Sequence, residues 1–200
     1  MSMTKYILNS GGLKNFPEKE KKFNKEIVKK LSKIPNILFC YFAVPREQWE
    51  EKFARHAEHF LESMDEDIKP KFELAFLDKF IDQIKNNDAI IIHGGDDKLL
   101  LYWLKQYDLP EIWEGKVVAG SSAGSNILVK HFWTCDWRLV MDGLGILPIK
   151  FIPHYKSSYG QDDPRGSIDW EGAYKELEEY GNKSLPIYAL EEGDFVVIEQ

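Results

Sequence analysis

Two hundred residues with a formal net charge of −7, 44% hydrophobic and 30% charged, suit a globular chain with room for one sizeable core. The acidic excess argues against a nucleic-acid surface, which needs clustered Lys and Arg, and no run approaches the roughly 18 apolar residues of a membrane span. Two cysteines, Cys40 and Cys135, are too few for a disulfide framework, and the start MSMTKYILNSGG lacks a signal-peptide pattern, so a cytoplasmic protein is expected.

In chain order, Tyr6 to Asn9 reads as a short apolar strand closed by Ser10-Gly11-Gly12. Pro17 suits a first helical position, and Phe23, Ile27, Leu31 and Ile34 recur at helical spacing. The lysines on that segment alternate with glutamates, which predicts a solvated face rather than a binding patch. Asn36 to Ala43 is apolar throughout, as a strand covered on both faces should be, with Cys40 as a small buried hydrophobe. Trp49, Phe53, Ala57, Phe60, Leu61 and Met64 mark a long helix over 46–64; His56 and His59 lie three apart on it and are read as surface histidines, with no metal expected. A weaker strand at 72–76, a short helix at 77–85, a buried strand at 88–92 ending in His93-Gly94-Gly95, and a leucine-rich helix at 98–106 follow. This alternation predicts an α/β fold, one domain over 1–200, with a mostly parallel sheet, helices on both faces and ligands at the carboxyl ends of the strands.

The next stretch carries the chemistry. Lys116 to Ala119 is a strand running into Gly120-Ser121-Ser122-Ala123-Gly124 and then a helical segment over 125–130, the G-x-S-x-G nucleophile elbow. Its sharp turn forces the central Ser122 into strained backbone angles, requires flanking glycines, and aims the Ala123 N–H where an oxyanion would form. Of the candidate bases, His131 is expected on the elbow helix, pointing away. His154 follows the short apolar run Phe151-Ile152 and is expected at the same sheet edge as Ser122. Asp136 is the first acid beyond the elbow helix, with Asp142 in reserve as the group that orients the histidine. The order Ser, Asp, His is that of the α/β-hydrolases, but only 32 residues separate Ser122 from His154, too few for that fold. Residues 143–153 read as an irregular connection, Cys135 as a free thiol in a polar turn, and Asp194 to Glu199 as a last strand. Among the six tryptophans, Trp103, Trp113, Trp133 and Trp137 are assigned to core packing.

Gly94-Gly95 after a strand, G-S-S-A-G at the elbow, an Asp fourteen residues beyond Ser122, Pro153-His154-Tyr155 and Leu190-Glu191-Glu192-Gly193 together resemble the peptidase E (aspartyl dipeptidase) family of serine peptidases, to which cyanophycinase is related. The resemblance implies a fold similar to class I glutamine amidotransferases and metal-independent hydrolysis of dipeptides with an N-terminal aspartate, without a cofactor. It makes Ser122 the nucleophile, His154 the base and then the acid, Asp136 the orienting carboxylate, and Gly95 and Ala123 the oxyanion donors. Arg165 would meet an acidic substrate side chain. The chain departs from the family at His93, where a third glycine is usual, and at Asp96-Asp97 in place of Asn-Thr. Two acids there would repel an acidic side chain unless one, Asp96, binds the substrate's amino group. An esterase or amidase using the same triad, and a silent relative binding a metabolite or partner, are the alternatives. A homodimer is compatible with the sequence.

Overall fold

The structure, a computed structural model, describes residues 3–200. Five strands lie parallel: β1 (Lys5–Asn9), β2 (Asn36–Cys40), β3 (Lys71–Leu74), β4 (Ala89–Ile92) and β5 (Val117–Ser121). Four of them are buried along nearly their whole length, whereas the edge strand β3 alternates exposed Lys71 and Glu73 with half-buried Phe72 and Leu74. With the antiparallel β10 (Phe195–Glu199) they form a six-stranded sheet in the order β10-β1-β5-β4-β2-β3. Helices α1 (Pro17–Val28), α2 (Trp49–Glu62), α3 (Phe80–Asn86), α4 (Asp97–Leu104) and the single turn α5 (Leu109–Ile112) connect them. Phe23 and Ile27 of α1, Trp49 and Phe60 of α2, and Leu100, Leu101 and Leu104 of α4 are buried, whereas Leu31 and Ile34 lie beyond the end of α1 and Ile34 and Leu61 are exposed, so the expected apolar stripes pack only in part. The mostly parallel sheets with flanking helices are the α/β arrangement expected.

The second half of the chain departs from expectation. The elbow helix α6 is one turn, Ala123–Asn126, and the chain then turns into β6 (Val129–Thr134). Residues 143–153 are not irregular, because they carry β8 (Leu147–Ile152). A second, four-stranded sheet results, ordered β7-β6-β8-β9, with β7 at Leu139–Asp142 and β9 at Ile187–Ala189. Its strands are short, and Pro148 and the charged Lys130 and Lys150 break the apolar runs that would have marked them. Lys150 is fully buried, and its Nζ donates to the carbonyls of Leu177, Glu178 and Tyr180 at 2.7 to 2.9 Å. That ammonium closes the C-terminal end of α7 (Trp170–Glu179), where the helix dipole favours a cation, and fastens the helix to the small sheet. Among the described residues no helix is long and apolar enough to cross a membrane.

Candidate active site

The elbow has the predicted mechanics. Ser122 sits at φ 51 and ψ −114, strained for a residue with a Cβ. Gly120 and Gly124 press together so closely that a Cβ on Gly120 would lie 2.5 Å from the Gly124 carbonyl oxygen. No larger residue fits between strand and helix.

His154 arrives from the other sheet. It follows β8 by two residues, is 5% exposed, and places Nε2 3.0 Å from the Ser122 hydroxyl. Its backbone is also left-handed, φ 54, held there because its N–H donates to Ser10 Oγ at 2.6 Å while Ser10 in turn donates to the Leu190 carbonyl. Nδ1 faces Glu192 Oε1 at 2.8 Å, so Glu192 orients the imidazole. The assignment of this place to Asp136 is corrected: Asp136 accepts instead from the Tyr159 hydroxyl at 2.7 Å, and the Tyr159 ring stacks on His154 with centroids 4.2 Å apart. Asp136 thus stands behind the ring that covers the histidine. The reserve, Asp142, pairs with His131 on β6 at 2.6 Å, and that histidine is on a strand rather than the elbow helix. Burial pushes the His154 pKa below its usual value, while the hydrogen bond and charge of Glu192 oppose the shift.

The motif Leu190-Glu191-Glu192-Gly193 contains Glu192, but the Ser, Asp, His order of the hydrolases places the acid between serine and histidine, and Glu192 lies beyond both. A signal was present in Gly11-Gly12: a Cβ at Gly11 would sit 2.8 Å from His154 Nε2, and one at Gly12 2.7 Å from Glu192 Cδ. Both glycines have positive φ and leave room for the pair.

Gly94 lies against the elbow serine, its would-be Cβ 3.2 Å from Ser122 Cβ, and the N–H groups of Gly95 and Ala123 have no acceptor among the described residues. Ala123 directly follows Ser122 at the opening of α6, and Gly95 directly follows the Gly94 that packs on the serine. Asp96 caps α4, accepting from the Leu99 N–H at 2.8 Å. Asp97 points away from the cleft: it is buried and accepts from Asn126 Nδ2 at 2.9 Å and Thr134 Oγ1 at 2.6 Å. Arg165 is exposed and held by Asp163, with a further bond to the Asp136 carbonyl, so its charge is already partnered.

Other expectations also change. Cys135 is buried, its Sγ donating to the Pro153 carbonyl, and His56 is half-buried with Nδ1 2.9 Å from the Tyr41 hydroxyl. Trp113 and Trp133 are core residues, whereas Trp137 is exposed with Lys98 Nζ 3.5 Å above its ring. Cys40 is buried as expected, and burial pushes its thiol up to about 12.

The chain matches solved structures along nearly its whole length in fold, and individual curated relatives along part of its sequence. It is 34% identical over 84 residues to Peptidase E of Shewanella oneidensis and equally to Peptidase E of Shewanella sp. (strain MR-4), in each case over 37% of this chain and 36% of the relative. The matched region thus spans about a third of those relatives. Among solved structures, a peptidase from an acI-B1 Actinobacterium superposes with TM-score 0.69 at 22% identity, covering 98% of this chain and 83% of the other. A candidate peptidase E protein from Listeria monocytogenes EGD-e superposes with TM-score 0.64 at 16% identity, covering 100% and 98%. At those identities the structural matches speak to fold alone. The sequence pattern of Peptidase family S51 matches residues 6–200, and the chain belongs to that family.

Proposed function

We propose that this chain is a serine peptidase that cleaves short peptides, with dipeptides bearing an N-terminal aspartate as the substrate the family resemblance favours. The observation that carries the reading is the unbroken relay from Ser122 Oγ to His154 Nε2 at 3.0 Å and from His154 Nδ1 to Glu192 Oε1 at 2.8 Å, on a strained elbow. Ser122 attacks the scissile carbonyl carbon as His154 Nε2 takes the hydroxyl proton. The oxyanion forms against the N–H groups of Ala123 and Gly95. The C–N bond then breaks, His154 delivers the proton to the leaving amine, and a water activated by the same histidine releases the acyl group.

Glu192 holds the imidazole in the tautomer with the proton on Nδ1 and stabilises the imidazolium between the two transfers. Asp96 has Oδ1 engaged in the helix cap and keeps Oδ2 for a substrate ammonium. Arg165 would exchange Asp163 for a substrate carboxylate, a competition that weakens any preference for aspartate.

The test is hydrolysis of Asp-linked chromogenic amides beside matched Ala, Glu and Arg versions, with a chelator present throughout. Wild type should turn over at least one of them and take a fluorophosphonate label. Ser122→Ala should abolish both, and His154→Ala should lower kcat by about 10⁴-fold or more. Turnover that survives Ser122→Ala would end the reading, and labelling without turnover of any amide would move the activity to esters.

A further inference from the structure

A cavity of about 440 Å³ opens beside the nucleophile, bounded by Gly94 and Ser121 on the sheet edge and by Gly12 and Lys14 on the loop after β1. Its interior is made of rings: Phe23, Phe39, Tyr41, Phe60, His56 and His93. At roughly 30 Å³ for each water, it would hold about fifteen of them, far more than an aspartyl side chain displaces.

The His93 imidazole has a particular arrangement. Tyr41 and His56 lie nearly parallel to it, with centroids at 4.4 and 4.5 Å, and their own centroids are 5.7 Å apart. Two rings on opposite faces of a third would be farther apart than that, so both cover one face and leave the other without a stacked partner. Phe39 meets His93 at an angle of 70°. Among the described residues His93 Nε2 is buried with no hydrogen-bond partner, a costly condition.

Burial, with Lys52 and Arg55 nearby, pushes His56 down to about 4, and burial pushes His93 well below its usual value. The floor is therefore uncharged at neutral pH, and a carboxylate driven into it would find no cation. The cations are at the mouth: Lys14, Lys52 and Arg55 outnumber Glu20 there. A mouth of that sign repels the ammonium of an N-terminal residue and attracts the carboxylate of a C-terminal one.

Resting on the peptidase reading, we propose that this cavity is the subsite for the leaving, C-terminal residue of a dipeptide, that it selects an aromatic side chain with a hydrogen-bonding tip such as tyrosine, and that His93 is the specificity-determining residue. The ring of the substrate fills the aromatic interior, its tip pairs with His93 Nε2, and its carboxylate stays among the cations of the rim.

The experiment uses the dipeptides Asp-X and Ala-X with X as Ala, Phe or Tyr, measured for kcat/KM on wild type and for binding by calorimetry on Ser122→Ala, which cannot cleave them. Tyr should exceed Ala by about 10- to 100-fold in at least one series from burial of the ring, and Phe by about 10-fold from the added hydrogen bond. His93→Phe keeps a ring but removes the polar partner, and should bring the Tyr to Phe ratio near one. Equal binding of Tyr and Ala dipeptides to Ser122→Ala, or an unchanged Tyr to Phe ratio in His93→Phe, overturns the proposal.

If His93→Phe does not fold, the ¹⁵N resonance of His93 Nε2 during titration of Ser122→Ala with Asp-Tyr replaces it, and no shift overturns the proposal equally. Tyr-selective binding that depends on His93, with no hydrolysis by wild type, would refute the peptidase reading and leave the subsite standing.

Discussion

At the scale of single residues, the histidine is held on three sides. Glu192 fixes its Nδ1, Tyr159 covers a ring face, and the bare backbone of Gly11 lies where any side chain would meet Nε2. Of these, Glu192 alone supplies charge. Its hydrogen bond and its charge both raise the His154 pKa against the downward pull of burial. Replacing Glu192 with Gln keeps the shape, removes that support and allows the wrong tautomer. We expect kcat to fall by about 10³-fold or more, by comparison with the loss of the orienting acid in serine proteases. The acid limb of the pH profile of kcat/KM should also move to lower pH, because neutral His154 is the base and its pKa drops further without the carboxylate. Profiles from pH 4 to 8 measure both. A limb that moves upward, or an unchanged kcat, would remove Glu192 from the mechanism. Ser122 and His154 were legible in the sequence because each follows an apolar run at a glycine or proline boundary. Glu192 was not, because nothing local in Leu190-Glu191-Glu192-Gly193 distinguishes an orienting acid from a turn acid.

At the scale of elements, the two acids that looked hostile to an acidic substrate divide into a cap and a strut. Asp96 starts α4, and Asp97 ties that helix to the end of α6 through Asn126 and to the end of β6 through Thr134. The strut therefore fixes the loop bearing Gly94 and Gly95 relative to the elbow bearing Ser122. Desolvation raises the Asp97 pKa to about 6 against the hydrogen bonds that lower it. The folded protein thus holds this proton more tightly than the unfolded chain does. The contribution to stability is fully present below about pH 4 and is lost as pH rises to about 6. Asp97→Asn should flatten stability against pH between 4 and 6 and raise it at pH 7 by about 2 kcal/mol, since no charge is buried there. Asp97→Leu should instead destabilise by about 1 to 3 kcal/mol, because it strands Asn126 and Thr134. Urea titrations at three pH values measure the slopes, and an Asp97→Asn protein with the wild-type slope would refute the assignment. The first sheet could be read from sequence because parallel buried strands leave long apolar runs. The second could not, because β6 and β8 each carry a lysine, and the buried Lys150 makes sense only against the end of α7, which no local pattern reveals.

At the scale of the molecule, the site lies at the joint between the sheets. Ser122 follows β5 of the large sheet, His154 follows β8 of the small one, and Glu192 lies on the chain crossing from β9 in the small sheet to β10 in the large. The alignment of the three depends on what clamps that crossing, and the clamp is β1. Asn9 is fully buried at its end: Nδ2 donates to the Gly193 and Asp194 carbonyls at 3.3 and 3.0 Å, while Oδ1 accepts from the Gly11 N–H at 2.7 Å and from Ser121 Oγ. Its own carbonyl accepts from the Ser122 N–H at 3.0 Å and from Ser125 Oγ at 2.8 Å. One residue thus holds the serine and the segment that carries the glutamate. Asn9→Asp alters one half of the clamp: the carboxylate still accepts from Gly11 and Ser121 but faces the two carbonyls without a proton to give. The crossing should loosen while the elbow stays, so kcat should fall in the manner of Glu192→Gln, by about 10²-fold. The acid limb should again move down, with fluorophosphonate labelling slowed but Ser122 still reactive. Protonation of the introduced carboxylate at low pH restores a donor, so the loss should be smaller near pH 5 than near pH 8 when each is compared with wild type at the same pH. A uniform loss across pH would mean that the clamp acts through stability alone, and full activity would mean that the two sheets are held in register elsewhere.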